Sequence, residues 1–390
     1  VNIAKIQAAL KEQRLDGWLL ADFHGRNDIA VKMIGLNGIV TRRSFYFIPA
    51  KGEPTAMVSP IEIAKFRHLE GNVTTFKGYK MLERMLAKLL KDQKRIAMEY
   101  SPLGRLPYIG LVDAGTIELV RSFDVDIVSS ADLVASFQAR LSAEQVDLHR
   151  TAANNVIEIV GLAHEFIATS LKNDRTVTEF DVVQFIMHEF ERAGMETEFP
   201  PNCSVDPNAG DPHYEPKQAT ARTIGRGQLI LIDLWGKQSV PDGIYADITW
   251  MAYSGTRDEI PAKYVEIFSV LAKARDAAVT YLADNFGNAP LSGAAADDVC
   301  RQVIVDAGYG EFFSHRTGHS ITTHEHGNGP NIDNLETEDK RVLQTGHLFS
   351  VEPGIYTDEF GLRTEINVLI TESGPEVTTL PLQTEIKPLF

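Results

Sequence analysis

Four of the chain's 11 histidines fall inside one stretch, HRTGHSITTHEHGNGP, as His315, His319, His324 and His326. Imidazoles at that density can ligate a metal, carry protons or hold an anion, or they can simply cluster on a wet loop. The carboxylates decide between these. Asp233 follows Leu229-Ile230-Leu231-Ile232, an apolar run typical of a strand covered on both faces, and Asp247 lies in the similar text GIYADITWMAY. Further on, Glu352 lies in HLFSVEPGIY and Glu365 in GLRTEINVLIT. An ionised carboxylate in such surroundings is costly unless a counter-charge or a metal meets it. Any one of the four could sit at a strand end and face water. Four in matched places point to a shared cation, because apart from Arg363 these strand texts carry almost no basic residue. Oxygen ligands suit Mn²⁺ and Mg²⁺, and one imidazole among them widens the choice to Zn²⁺, Co²⁺ or Fe²⁺.

The elements that must position these residues follow an order that occurs twice. A long helix opens at Ser142, where Gln145 completes a capping box, and Val156, Ile159, Val160, Ala163, Phe166 and Ile167 form its apolar face. A second helix runs from about Thr178 to Gly194, and the two strands bearing Asp233 and Asp247 follow. The order then repeats: a helix in IPAKYVEIFSVLAKARDAAVTYLADNFG, a shorter one in SGAAADDVCRQVIVDAGYG, and the strands bearing Glu352 and Glu365. Residues 136–390 therefore read as one domain of two helix-helix-strand-pair halves. Residues 1–135 read as a smaller α/β domain without a catalytic constellation. It has a strand in LDGWLLAD, two strands around Lys51-Gly52, a helical stripe in MLERMLAKLL and a buried strand in RIAMEY. The fold class is α/β, in the wider sense that includes α+β.

The bulk properties agree with a two-domain chain of 390 residues, 44% of them hydrophobic. A net charge of −15 repels nucleic acid and anionic membranes, and no apolar run reaches the length of a membrane span. The opening VNIAKIQAALKEQRLDGW reads as an amphipathic helix rather than a signal peptide. Two cysteines, Cys203 and Cys300, are too few for a disulfide framework or a thiolate zinc site, which favours the cytoplasm.

The texts LIDLWGKQSVPDGIYADIT, FFSHRTGHSITTHEHG, FSVEPGIY and GLRTEINV, in that order, resemble the pita-bread metallopeptidases: prolidases, Xaa-Pro aminopeptidases and methionine aminopeptidases. The resemblance covers the second domain, and the first is similar to the extra domain of the prolidase and aminopeptidase P branch. It implies five metal ligands, Asp233, Asp247, His319, Glu352 and Glu365, around two divalent ions, with Mn expected and Co, Zn or Fe as alternatives. Asp247 and Glu365 would bridge ions about 3.5–4 Å apart, and the ions would share a water that supplies hydroxide as nucleophile. It further implies Glu352 as candidate general base, and His213 and His326 as groups that hold the scissile carbonyl and pass protons. His315 would line the substrate pocket. Arg363 would face the substrate carboxylate or form an ion pair with the acids. His324 has no counterpart in the family pattern and reads as a loop residue.

The chain departs from that pattern at Thr322 (usually glycine), at Glu325, which precedes His326 where many prolidases have Glu after it, and at Trp250 (usually Arg). The link between Asp233 and Asp247 is also longer than is common. The implied activity is hydrolysis of the Xaa-Pro bond in dipeptides by a homodimer, a bond that needs a dedicated enzyme because the proline amide has no N–H. Competing expectations are a Xaa-Pro aminopeptidase acting on longer peptides, a lyase or another non-peptidase on the same fold, and a metal-free partner-binding module.

Overall fold

The computed structural model describes residues 2–38, 40–288 and 290–390. The chain divides into two compact units, 1–138 and 139–390.

In the first unit, β1 (Gly17–Asp22) is buried along its whole length, as its unbroken apolar text requires. It pairs antiparallel with β2 (Ser44–Pro49), which turns through Lys51-Gly52 into β3 (Thr55–Val58). With β4 (Asn72–Thr75), β5 (Arg95–Met98) and β6 (Asp126–Ser129) these strands make a six-stranded sheet of order β4-β3-β2-β1-β5-β6. Helices α1 (Ile3–Glu12), α2 (Asp28–Ile34), α3 (Tyr79–Leu90), α4 (Ala114–Arg121) and α5 (Ala131–Gln138) complete the unit, and its apolar side chains form two core clusters. Helix α3 buries Leu82, Leu86 and Leu90, one residue per turn, as the sequence stripe predicts.

The second unit repeats a motif. Helix α6 (Ala143–Lys172) starts at the Ser142/Gln145 capping box, and α7 (Glu179–Arg192) starts at a second box of Thr178 and Asp181. After β7 (Met195–Glu196) and β8 (Asn202–Val205), β9 (Leu229–Gln238) and β10 (Ala246–Tyr253) form an antiparallel ladder. Strand β8, too short for the sequence pattern to reveal, pairs with the outer edge of β9. Helices α8 (Ala262–Asn285) and α9 (Gly293–Asp306) open the second half.

Here the structure differs from expectation, because each of the two acid-bearing strand texts is broken at its glutamate. The first becomes β11 (Leu348–Val351) and β12 (Gly354–Tyr356), with Glu352-Pro353 between them. The second becomes β13 (Gly361–Arg363) and β14 (Ile366–Thr371), with Thr364-Glu365 between them. Pro353 has no N–H to donate to a ladder, so pairing stops there. β12 pairs with β13, while β11 joins β14 and β15 (Gly374–Val377). A final short strand, β16 (Lys387–Pro388), runs parallel beside β10. The halves meet along β10 and β14, where the fully buried Asn367 side chain accepts from Asp247 N (2.9 Å) and donates to Asp247 O (2.8 Å). Among the described residues no helix is long and apolar enough to cross a membrane, and both cysteines are buried and free.

Candidate active site

The β9–β10 register sets the first two acids. Asp233 lies opposite Thr249, and Asp247 is two residues before Thr249, so all three side chains leave the same face of the hairpin. Thr249, fully buried, places Oγ1 2.9 Å from Asp233 Oδ1 and 2.8 Å from Glu365 Oε2. One hydroxyl proton cannot serve both carboxylates.

His319 arrives on an irregular strand beside β11. Ser350 N donates to His319 O (2.9 Å), His319 N donates to Ser350 Oγ (2.9 Å), and Glu352 N donates to Thr317 O (2.7 Å). At Gly318 an added Cβ would lie 1.9 Å from Ser350 O, so only glycine allows this approach. The His319 ring, 4% exposed, has Nε2 3.5 Å from Asp247 Oδ2 and 3.4 Å from Glu352 Oε1. Ligand atoms of Asp247, His319 and Glu365 all lie within 4.8 Å of one another.

Burial raises the pKa of Asp247 and Glu365 well above the usual carboxylate range, and the neighbouring acids push both further up. Burial also raises Asp233, opposed by Arg363, and lifts Glu352 to about 7. His319 is held well below the ordinary imidazole value by burial, then by His326 and Arg316. Asp247 Oδ1 and Glu365 Oε1 are buried and have no hydrogen-bond donor among the described residues. A group of acids that repel one another, with two orphaned oxygens and an imidazole between them, fits divalent cations and little else.

Of the remaining candidates, Arg363, His315 and His326 lie beside this centre. Arg363, 5% exposed, pairs with Asp233, donates through Nε to Thr249 (2.7 Å) and through Nη1 to Tyr356 (3.1 Å). Its guanidinium faces the acids. Tyr356 also meets His315 Nε2 at 2.9 Å, so His315, Tyr356, Arg363 and Asp233 form one line of contacts. Burial, then Arg363, depresses the His315 pKa to about 3. His326 stacks edge-on to His319 with ring centroids 4.3 Å apart, while its side chain remains 54% exposed. Its pKa is lowered by desolvation of the inner face, then by Arg316 and His213. His213 itself is exposed, on the loop after β8. His324 is exposed, and its backbone exchanges hydrogen bonds with Thr322.

Sequence reasoning did not place Thr249, Tyr356 or Asn367 in the site, since their roles depend on pairings between distant strands. Glu325 reads in the sequence only as a departure from the family pattern. In the structure it lies 3.5 Å from His326, and burial, then Asp233 and Glu352, raises its pKa to about 8. Trp250 turns away from the acids and packs near His164 in the core behind β10, with ring centroids 6.4 Å apart.

Residues 152–372 match the model of metallopeptidase family M24. The chain belongs to that family. The M24 chain is 31% identical over 334 residues to an uncharacterised peptidase of Staphylococcus saprophyticus, covering 85% of this chain and 86% of that one. It is 33% identical over 202 residues to a Xaa-Pro dipeptidase of Lactobacillus delbrueckii subsp. lactis, covering 51% and 50%. Its fold matches the crystal structure of the dipeptidase PepE from Mycobacterium ulcerans with a TM-score of 0.75 and 22% identity, covering 99% of this chain and 96% of that one. The second unit is thus a pita-bread metallopeptidase domain, and the M24 chain carries a candidate metal-binding group at its acids.

Proposed function

We propose that this M24 metallopeptidase is a Xaa-Pro dipeptidase that binds two divalent cations through Asp233, Asp247, His319, Glu352 and Glu365. The observation that carries the reading is the pair of orphaned, buried oxygens on Asp247 and Glu365 beside His319. Manganese is the expected ion, with cobalt, zinc and iron compatible with the same ligands. Bound there, the cations supply the Lewis acidity that ionises a water at neutral pH.

The chain's own groups do the rest. Glu352 takes the proton from the attacking water. His326, with one ring face against His319 and the other open to solvent, hydrogen-bonds the scissile carbonyl and stabilises negative charge there as it develops. His213 relays a proton to the departing proline nitrogen. His315 lines the pocket through its Tyr356 contact. The specificity for proline is supported by the likeness to the Lactobacillus dipeptidase. The protein is further proposed to be a cytoplasmic homodimer.

A second reading, an aminopeptidase acting on longer peptides, is favoured by one observation. Arg363 directs its donors onto Asp233, Thr249 and Tyr356, so its cation is committed away from a free proline carboxylate. Metal analysis of protein purified without added ions, with rates on Ala-Pro, Leu-Pro and Ala-Pro-Ala, tests both. Turnover of the dipeptides with little of the tripeptide is the expected result. The reverse selects the aminopeptidase, and inactivity on all three with metal bound overturns the peptidase specificity altogether.

A further inference from the structure

Of the buried carboxylates outside the acid cluster, two that are wholly enclosed lie one on the second helix of each half. Glu179, the first residue of α7, and Asp297, one turn into α9, are each 0% exposed. Both serve as acceptors for a loop that carries a site histidine.

Glu179 gathers the loop after β8. Its Oε1 accepts from Val205 N (2.8 Å) and Asn208 Nδ2 (3.0 Å). Its Oε2 accepts from Tyr214 Oη (2.7 Å), Arg222 N (2.8 Å) and the same Asn208 amide (3.0 Å). The loop's root, two points along it and its return segment at Arg222 thus converge on one side chain. His213 is the immediate neighbour of Tyr214, whose hydroxyl Glu179 holds.

Asp297 gathers the strand that leads to His319. Its Oδ1 accepts from Thr317 N (3.0 Å) and from the Thr317 hydroxyl, and its Oδ2 accepts from Asn334 N (2.8 Å). Arg301, one turn further along α9, pairs with Asp297 (3.1 Å) and donates to Phe313 O (3.1 Å) and His315 O (2.8 Å). Residues 313–317 are therefore braced from one helix face.

We propose that Glu179 and Asp297 are a matched pair of positioning residues, Glu179 fixing the loop that brings His213 to the substrate and Asp297 fixing the strand that presents His319 to the cation. The roles rest on the proposed function. The anchoring itself does not. Neither residue touches substrate. A buried acceptor that serves several backbone N–H groups cannot be replaced by an amide of the same size, because the new NH₂ would face donors.

The test is amide hydrogen exchange with metal analysis on Glu179→Gln and Asp297→Asn. Glu179→Gln is expected to speed exchange about 10-fold or more across 205–222, leave 313–319 and metal content unchanged, and lower kcat/KM about 10- to 100-fold, the usual size of an indirect positioning effect. That loss should vanish in a His213→Ala background. Asp297→Asn is expected to do the reverse: faster exchange at 313–319 and metal affinity about 10- to 100-fold weaker. Should either amide variant fail to fold, Tyr214→Phe and Thr317→Val each remove one donor and should shift the same segment in the same direction. Unchanged exchange, or exchange raised equally in both segments, overturns the pairing. Multiplicative losses of Glu179→Gln and His213→Ala overturn the link to His213. A wild-type protein inactive on every peptide would sink the peptidase reading while the exchange data still decide the anchors.

Discussion

Both units bury carboxylates, and Glu99 of the first and the acid cluster of the second are met in opposite ways. In the first unit Glu99, fully buried, meets only neutral donors: Trp18 Nε1 at 2.7 Å, Asn27 Nδ2 at 2.8 Å and Ser130 Oγ at 3.1 Å. In the second, Asp247 and Glu365 face other acids and each leaves an oxygen without a donor. The first arrangement is complete as it stands, a polar staple within a core. The second is a charge problem without an internal answer. Burial alone therefore does not mark a functional acid; what distinguishes it is whether the surroundings already satisfy it.

The strongest way to break this contrast is Asp247→Ala. It should abolish metal binding and lower turnover by about 10³-fold or more, as expected when the group that holds the cations is removed; full activity in metal-supplemented buffer would show that the acids are not the ligands. The same contrast predicts that Asp247→Asn raises the unfolding free energy of chelator-treated protein by about 1–3 kcal/mol, read by urea denaturation, because it relieves repulsion among buried acids. His326→Ala should keep the metal and lower kcat by about 10²-fold, the scale of a positioned acid–base group; a change in metal content alone would assign His326 to the ligand set instead.

Glu99→Ala should do the opposite of Asp247→Ala. Metal content and kcat should stay unchanged while urea unfolding shows a loss of about 2–3 kcal/mol, since three buried donors lose their acceptor. The pH dependence sharpens the comparison further. Glu99 is raised from 4.5 to about 7, so the folded state keeps a proton the unfolded state has released; its contribution is complete below 4.5 and lost as pH rises through 7. His149 and His164 on α6, fully buried, are lowered from 6.5 to about 4 and about 3. Their contribution is complete above 6.5 and is lost as pH falls toward those values. The deficit of Glu99→Gln relative to wild type should accordingly be largest in acid and shrink as pH rises through 7, and a deficit that grows with pH would reverse the assignment. The smallest effect belongs to His324→Ala, at an exposed loop position, which should change kcat/KM less than about 2-fold, as a surface substitution does.

The sequence made the acids legible because charge inside apolar text is a local signal. Asp233 after four aliphatic residues needs no tertiary knowledge to look out of place. The helix start at Ser142 is equally visible through its capping box, while the box at Thr178 shows only in the structure. The breaks at Glu352-Pro353 and Thr364-Glu365 were not foreseen, although Pro353 was a usable warning in the first. Thr249, Tyr356 and Asn367 could not be singled out, because each acts through a partner more than 100 residues away or through a hairpin whose register the text does not state. Arg363 lay between two readings in the sequence, and only the fold shows its guanidinium turned onto Asp233.

The Asn367 amide has a consequence for the whole second unit. It clasps both backbone polar atoms of Asp247 from across the seam, so a carboxylate from one half and its neighbour Glu365 from the other are kept in step by one pair of bonds. Any loosening of that seam would spread the acids apart, and any ion drawing the acids together would tighten the seam. Cation occupancy and the cohesion of the two halves are then a single equilibrium, and the melting temperature of this unit should report the free metal concentration around it.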